Sequence, residues 1–296
     1  MTNACGPFTL EEPLPDIPHS RLLIALQPWI DVGSVGTMAL SFLEESWRAT
    51  DLGRLTRPGN FYDFSRYRPM LFRREGERHV AVANTVLRHA LSPDGVHWLF
   101  LHALEPHNNG EDYVDGLLAL IKRFHVRQYF MIGSMYGPVP HTRPPIISGG
   151  ATSDALRDEL RRVGVRESNY EGPTTILATL PPLALAEGID TATVILQLPA
   201  YAQVERDYRG LHTLLDLTSH LFGLSLSLEE LRDQGDQQTH TMDEAARQNP
   251  QVATMLSELE SMYDTATETP AADSGVPLSP ELEGFLKDIQ QRLEDT

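Results

Sequence analysis

Val96-His97-Trp98-Leu99-Phe100-Leu101-His102 and Gln128-Tyr129-Phe130-Met131-Ile132 are both nearly continuous in apolar character, with a helical pattern between them. Runs this short and unbroken read as strands covered on both faces. Asn109 is the expected N-cap of a helix from about Gly110 to Phe124. Leu117, Leu118, Leu120 and Ile121 supply its buried side, and Glu111 and Asp112 sit favourably near its N-terminus. The order strand, helix, strand implies a right-handed crossover in a mostly parallel sheet.

Arg21 to Leu26 is another short apolar run. It leads through Gln27-Pro28-Trp29-Ile30-Asp31-Val32-Gly33-Ser34-Val35-Gly36 into a helical pattern over Thr37 to Trp47. Further strand-like runs lie at 69–73, 79–83, 173–180 and 192–198, and helical patterns cover Asp154 to Val163 and Val204 to Phe222. The expected fold class is therefore α/β, a three-layer α/β/α sandwich over residues 20–223. Residues 1–19, with Pro7, Pro13, Pro15 and Pro18, read as an irregular arm. Past Gly223 only helical signals remain. Residues 224–263 form a helical extension, with capping boxes at Ser227/Glu230 and Thr241/Glu244 and an apolar stripe of Val252, Met255, Leu256, Leu259, Met262 and Tyr263. Residues 264–278 resemble a flexible linker. Residues 279–296 restart as an amphipathic helix that either folds back on its own subunit or docks on a neighbour.

Composition narrows the function classes. The chain has 296 residues, 41% hydrophobic, with a formal net charge of −17. That charge opposes nucleic-acid binding by counterion release. It is unevenly placed: residues 227–296 hold 16 acidic and 4 basic side chains, leaving about −5 for residues 1–226. The acidic C-terminal helices are thus a solvated surface or a face for a protein partner. No run reaches the roughly 18 apolar residues of a membrane span. The N-terminus shows neither a basic nor an apolar leader segment, so the expected location is the cytoplasm. Cys5 is the sole cysteine, which removes intrachain disulfides and multi-cysteine metal sites.

Chemistry-bearing residues concentrate at the expected carboxyl ends of strands, where open α/β sheets place ligands. The turn Asp31 to Gly36 offers backbone N–H groups at a helix N-terminus, but its glycines match neither a dinucleotide fingerprint nor a P-loop. Asp63 and Arg68 fall in a polar, aromatic loop. Glu105-Pro106-His107 follows one central strand and Gly133-Ser134-Met135-Tyr136 ends the next. The latter runs into Gly137-Pro138-Val139-Pro140-His141-Thr142-Arg143-Pro144-Pro145. Four prolines fix the backbone around His141, Thr142 and Arg143. This loop reads either as a preorganised ligand or partner loop or as a rigid connector whose Arg143 ties down neighbouring oxygens. Parallel neighbours are expected to bring Asp31, Glu105 and His141 to one edge. No nucleophile elbow surrounds Ser34 or Ser134, and the 11 histidines show no zinc spacing. No metal, cofactor or reaction class follows.

The Asp31–Gly36 turn, Phe61-Tyr62-Asp63 with Arg68-Pro69, Glu105-Pro106, Pro140-His141-Thr142-Arg143-Pro144, Tyr170-Glu171-Gly172-Pro173-Thr174 and Leu198-Pro199-Ala200-Tyr201 occur in an order that resembles the bacterial branch of the PAC2 family, named after a proteasome assembly chaperone. The resemblance spans roughly 20–265. It implies a core similar to the phosphorylase/hydrolase-like fold, a helical C-terminal extension and homo-oligomers, often trimers. Two departures stand out. Pro28-Trp29-Ile30-Asp31-Val32-Gly33 replaces the family's Gly-Trp-x-Asp-Ala-Gly, and Leu293-Glu294-Asp295-Thr296 lacks the hydrophobic-Tyr-X tail of proteasome-binding members. The leading expectation is a non-catalytic oligomeric assembly or scaffold protein. The alternative is a site for a nucleoside-like or carboxylate ligand lined by Asp31, Gly33, Asp63, Arg68, Glu105, His141, Thr142, Arg143 and Tyr201.

Overall fold

A computed structural model describes residues 3–268. In chain order the elements are β1 (Ala4–Cys5), β2 (Phe8–Leu10), β3 (Ser20–Gln27), α1 (Val35–Ser46), β4 (Thr50–Leu55), β5 (Met70–Arg74), β6 (Glu77–Ala81), β7 (Val86–Leu91), β8 (His97–Leu104) and α2 (Gly110–Arg123). There follow β9 (Val126–Gly137), β10 (Ile147–Ala151), α3 (Asp154–Arg162), β11 (Arg166–Glu167), α4 (Leu180–Ala186), β12 (Asp190–Pro199), α5 (Tyr208–Phe222), α6 (Glu229–Gln248) and α7 (Pro250–Glu268).

Ten strands form one sheet in the order β1-β2-β4-β7-β8-β3-β9-β12-β10-β11. The four central strands β8, β3, β9 and β12 run parallel, as the strand–helix–strand pattern requires. The flanks make the sheet mixed instead of mostly parallel. β7 and β8 are joined by a tight turn, in which Ser92 N–H donates to the Val96 carbonyl, and a connection that short permits only antiparallel pairing. On β8, Leu99, Leu101 and Ala103 pack into one apolar layer with α2 and α4, while Trp98 and Phe100 pack into the other with α1 and α5. β9 splits likewise, with Tyr129 on the first layer and Phe130 and Ile132 on the second. The alternation along two strands thus builds both cores of the three-layer sandwich.

Several expectations are corrected. The N-terminal arm supplies β1 and β2, because Phe8 and Leu10 alternate inward at the sheet edge. The run at 173–180 is a 3-10 turn entering α4: Pro181 and Pro182 suit a helix's first turn, where the missing N–H has no intrahelical acceptor. Asn109 does stand before α2, but it adopts φ 50° and donates its side-chain amide to the Asn60 carbonyl, so left-handed geometry selects it. Neither expected capping box forms. Ser227 Oγ donates to Glu229, and Thr241 lies inside the continuous α6, donating back to the Gln237 carbonyl. The break falls at Asn249-Pro250, where Asn249 Oδ1 accepts the N–H groups of Gln251 and Val252. α7 continues to Glu268, past the expected start of the linker at 264. The rest of that linker and the helix expected over 279–296 lie outside the described residues. No helix among the described residues is long and apolar enough to cross a membrane.

The runs 69–73 and 79–83 form a separate two-stranded ribbon of β5 and β6, not core strands, and every residue in it is exposed.

Candidate functional site

The parallel strands do deliver Asp31, Glu105 and His141 to one end of the sheet. Asp31 bridges to Ser134 of β9, Glu105 N–H donates to the Gln27 carbonyl at the end of β3, and His141 follows β9 by a few residues. Glu105 turns to the α2/α4 side of the sheet, whereas Asp31 and His141 lie on the α1/α5 side and are each engaged by different neighbours.

Asp31 turns toward α1. Its carboxylate accepts Thr37 N–H at 3.0 Å, the Thr37 hydroxyl at 2.6 Å and the Gln27 amide at 3.3 Å. The helix N-terminus therefore already holds an anion, and that anion is Asp31 itself. Burial pushes the carboxyl above its ordinary range against the pull of these hydrogen bonds. Gly33 has φ +61°, and a Cβ there would stand 2.9 Å from Asp207 Cβ. Asp207 caps α5 by accepting Gly210 N–H at 2.6 Å, and its own N–H donates to the Gly33 carbonyl. The glycine turn is a close-packing device between α1 and α5.

Glu105 turns to the opposite face. Its Oε1 accepts Ile176 N–H at 2.8 Å, while Oε2 is buried with no hydrogen-bond partner among the described residues; burial raises its pKa accordingly. The loop carrying Asp63 packs beside it, with the Tyr67 hydroxyl donating to the Glu105 carbonyl at 3.1 Å. The Ser65 hydroxyl and N–H together hold the Asp63 carboxyl below the usual range, and Arg68 donates to the Ser65 carbonyl. Asp63 and Arg68 do not pair with one another.

The proline-fenced loop is a dense polar cluster. Pro140 to Arg143 closes as a turn with His141 buried inside it at 3% exposed, and Val139 just before it is 4% exposed. Tyr201 accepts the His141 backbone N–H at 2.8 Å and lies 2.5 Å from Nδ1. Having accepted one N–H, the phenol donates its own proton to Nδ1. Nε2 then carries the imidazole proton and donates it to Asp243 of α6 at 3.1 Å. Burial lowers the His141 pKa, although Asp243 opposes the shift, and keeps this tautomer neutral. Burial also raises the Tyr201 phenol to about 12. Thr142 donates to Glu260 of α7. Arg143 forms a two-pronged pair with Asp264 at 2.8 Å for each prong and reaches Glu260 at 3.2 Å. From α5, Arg209 donates to the carbonyls of His141 and Arg143. The extension is seated by further contacts: the Gln238 side chain accepts Tyr208 N–H and donates to the Arg206 carbonyl, and Gly235 lets α6 approach Arg209 closely. Leu259 of α7 is 1% exposed.

His141, Thr142, Arg143 and Tyr201 thus act together as a latch for α6 and α7. Arg209, Asp243, Glu260 and Asp264 are the participants that sequence reasoning missed, as it missed Asp207 at the glycine turn. Only Glu260 and Asp264, an i,i+4 acid pair able to straddle a cation, left a readable sign. Among the described residues no three His, Cys, Asp or Glu side chains gather as a metal site. An open groove of about 370 Å³ between α5 and the start of α6, lined by His212, Asp216, His220, Leu226, Glu229 and Arg232, contains none of the expected site residues.

These features define an α/β/α protein whose central strand-end loop is clasped by its own helical extension. The PAC2 family model matches residues 25–246, and the chain belongs to that family. It is similar in fold to a protein of unknown function from Corynebacterium glutamicum, with TM-score 0.79 and 20% identity over 89% of this chain and 99% of that one. A proteasome-assembly chaperone homologue from Mycobacterium tuberculosis superposes with TM-score 0.71 at 24% identity, over 80% of this chain and 99% of that one. An archaeal proteasome activator from Pyrococcus furiosus gives TM-score 0.63 at 14% identity, over 80% and 97%. A search of curated protein sequences finds no match.

Proposed function

We propose that this PAC2-family chain is a non-catalytic, homo-oligomeric assembly protein of the cytoplasm, with a trimer as the state to test first. The observation that carries the reading is the occupation of His141, Thr142 and Arg143 by groups of the same chain. Side chains held in this way fix an architecture and are not aimed at a substrate. The proteasome-assembly chaperone homologue and the proteasome activator among its structural neighbours support a protein-directed role.

The latch also redefines the partner surface expected of the acidic extension. Asp243, Glu260 and Asp264 face inward to the loop. Glu229, Asp233, Asp236 and Glu244 are exposed on α6, at spacings that place them on one helical face together with His240 and Arg247; Asp233 lies 3.9 Å from Arg232 and Glu244 3.3 Å from His240. That stripe is the protein-facing surface.

In-cell crosslinking followed by reconstitution from purified components tests the reading. A stoichiometric complex with a protein, formed without turnover of a small molecule, is expected. Saturable thermal stabilisation by a nucleoside or carboxylate, with no protein complex, would replace it with the ligand-binding alternative.

A further inference from the structure

The ribbon of β5 and β6 exposes every one of its residues, several of them large and apolar. Glu75 and Gly76, at φ 53° and 87°, form a two-residue loop with both positions left-handed, which sets the register Leu71↔Val80 and Arg73↔Arg78. Leu71 and Val80 are each 62% exposed, Met70 67% and Phe72 46%. A lone two-stranded ribbon is marginal in water, and apolar side chains gathered on one that projects from a sheet mark a contact surface.

The two faces of the ribbon differ. Paired residues share a face and successive residues alternate. One face carries Met70, Phe72, Ala81 and His79, with Phe72 stacked on His79 at 5.7 Å, and its tip is neutralised by Arg74 opposite Glu77. The other face carries Leu71 and Val80 at its base and Arg73 directly opposite Arg78 at its tip. Like charges directly opposed destabilise an isolated ribbon, so this second face favours an acidic surface that also accepts two aliphatic side chains.

The chain itself supplies an acidic surface. Residues 66–82 hold five arginines and two glutamates, within a chain of net charge −17. A second copy is therefore strongly acidic toward this ribbon, and its acid density peaks in the C-terminal part. We infer that the Leu71/Arg73/Arg78/Val80 face of one copy docks on the Glu229/Asp233/Asp236/Glu244 stripe of α6 in a second copy. Each copy then offers one ribbon and one stripe, a head-to-tail contact that closes into a ring when the rotation per subunit allows. The inference rests on the homo-oligomeric part of the proposed function and names the surfaces that make it.

The test is mass in solution by light scattering on full-length protein across a concentration series, with circular dichroism confirming the fold. Wild type is expected to be an oligomer that weakens with salt. Arg73→Glu/Arg78→Glu, Asp233→Arg/Asp236→Arg and Leu71→Ser/Val80→Ser should each raise the dissociation midpoint by about tenfold or more. The chain carrying both charge reversals should reassemble, because opposite charges again meet. An unchanged oligomer in the ribbon variants would overturn this inference while leaving the oligomeric reading intact. Failure of the double reversal to restore assembly would overturn the pairing with α6. A wild type that stays monomeric throughout would remove both.

Discussion

Tyr201 holds His141 at two atoms, accepting its backbone N–H at 2.8 Å and standing 2.5 Å from Nδ1. One phenol therefore orients the loop backbone and selects the imidazole tautomer that faces Asp243. Tyr201→Phe removes both partners from a residue that is 3% exposed. The expected loss is about 1–3 kcal/mol, the usual cost of leaving buried polar groups unpaired, read by urea denaturation. A change below a few tenths would mean that water replaces the phenol at no cost.

Gly33 tests the packing reading of the glycine turn. With φ +61° and Asp207 Cβ 2.9 Å from the position of a new methyl group, Gly33→Ala should destabilise by about 1–3 kcal/mol. A thermal melt that does not move would show that α1 and α5 separate freely.

The half-buried pair His89 and His97 gives a pH dependence of known sign. Burial, assisted by the His97 charge, lowers His89 from 6.5 to about 4. Between those values the unfolded chain binds more protons at this site than the folded one, so its contribution to stability is present above pH 6.5 and is lost as pH falls toward 4. Allowing for partial exposure, the span is on the order of 1 kcal/mol. His89→Gln should flatten the wild-type stability profile between pH 6.5 and 4 by that amount; superimposable profiles would refute the shift. The comparison with the variant is needed because Asp31, Glu105 and Asp207, with raised pKa values, act in the opposite sense at low pH.

Legibility followed the range of the physical signal. Val96 to Ile132 placed two central strands and their helix because a covered strand needs an unbroken apolar run, and a crossover needs a helix long enough to return. β10, Ile-Ser-Gly-Gly-Ala, carries no such run; it is set by pairing with β12, where Gly149 stands against the Thr193 carbonyl. The ribbon at 70–81 read as strand from composition, but exposure is a tertiary property that composition does not carry. At the site, strand direction brought Asp31 and Glu105 to the same end. Alternation across the loops then sent them to opposite faces. The latch joins His141 to Asp243 and Arg143 to Asp264 over more than a hundred residues, a separation at which no local pattern specifies a partner.

Arg143 carries the pairing between the 137–145 loop and α7. Hydrogen–deuterium exchange on wild type and Arg143→Ala measures it directly, with Asp264→Asn as a second route to the same break. Faster exchange in α7 and the 137–145 loop of both variants, with β3, β8 and β9 unchanged, is the result expected of a latch. Unaltered protection of α7 in both, together with loss of a small-molecule thermal shift in Arg143→Ala, would contradict the account and return the loop to a ligand site.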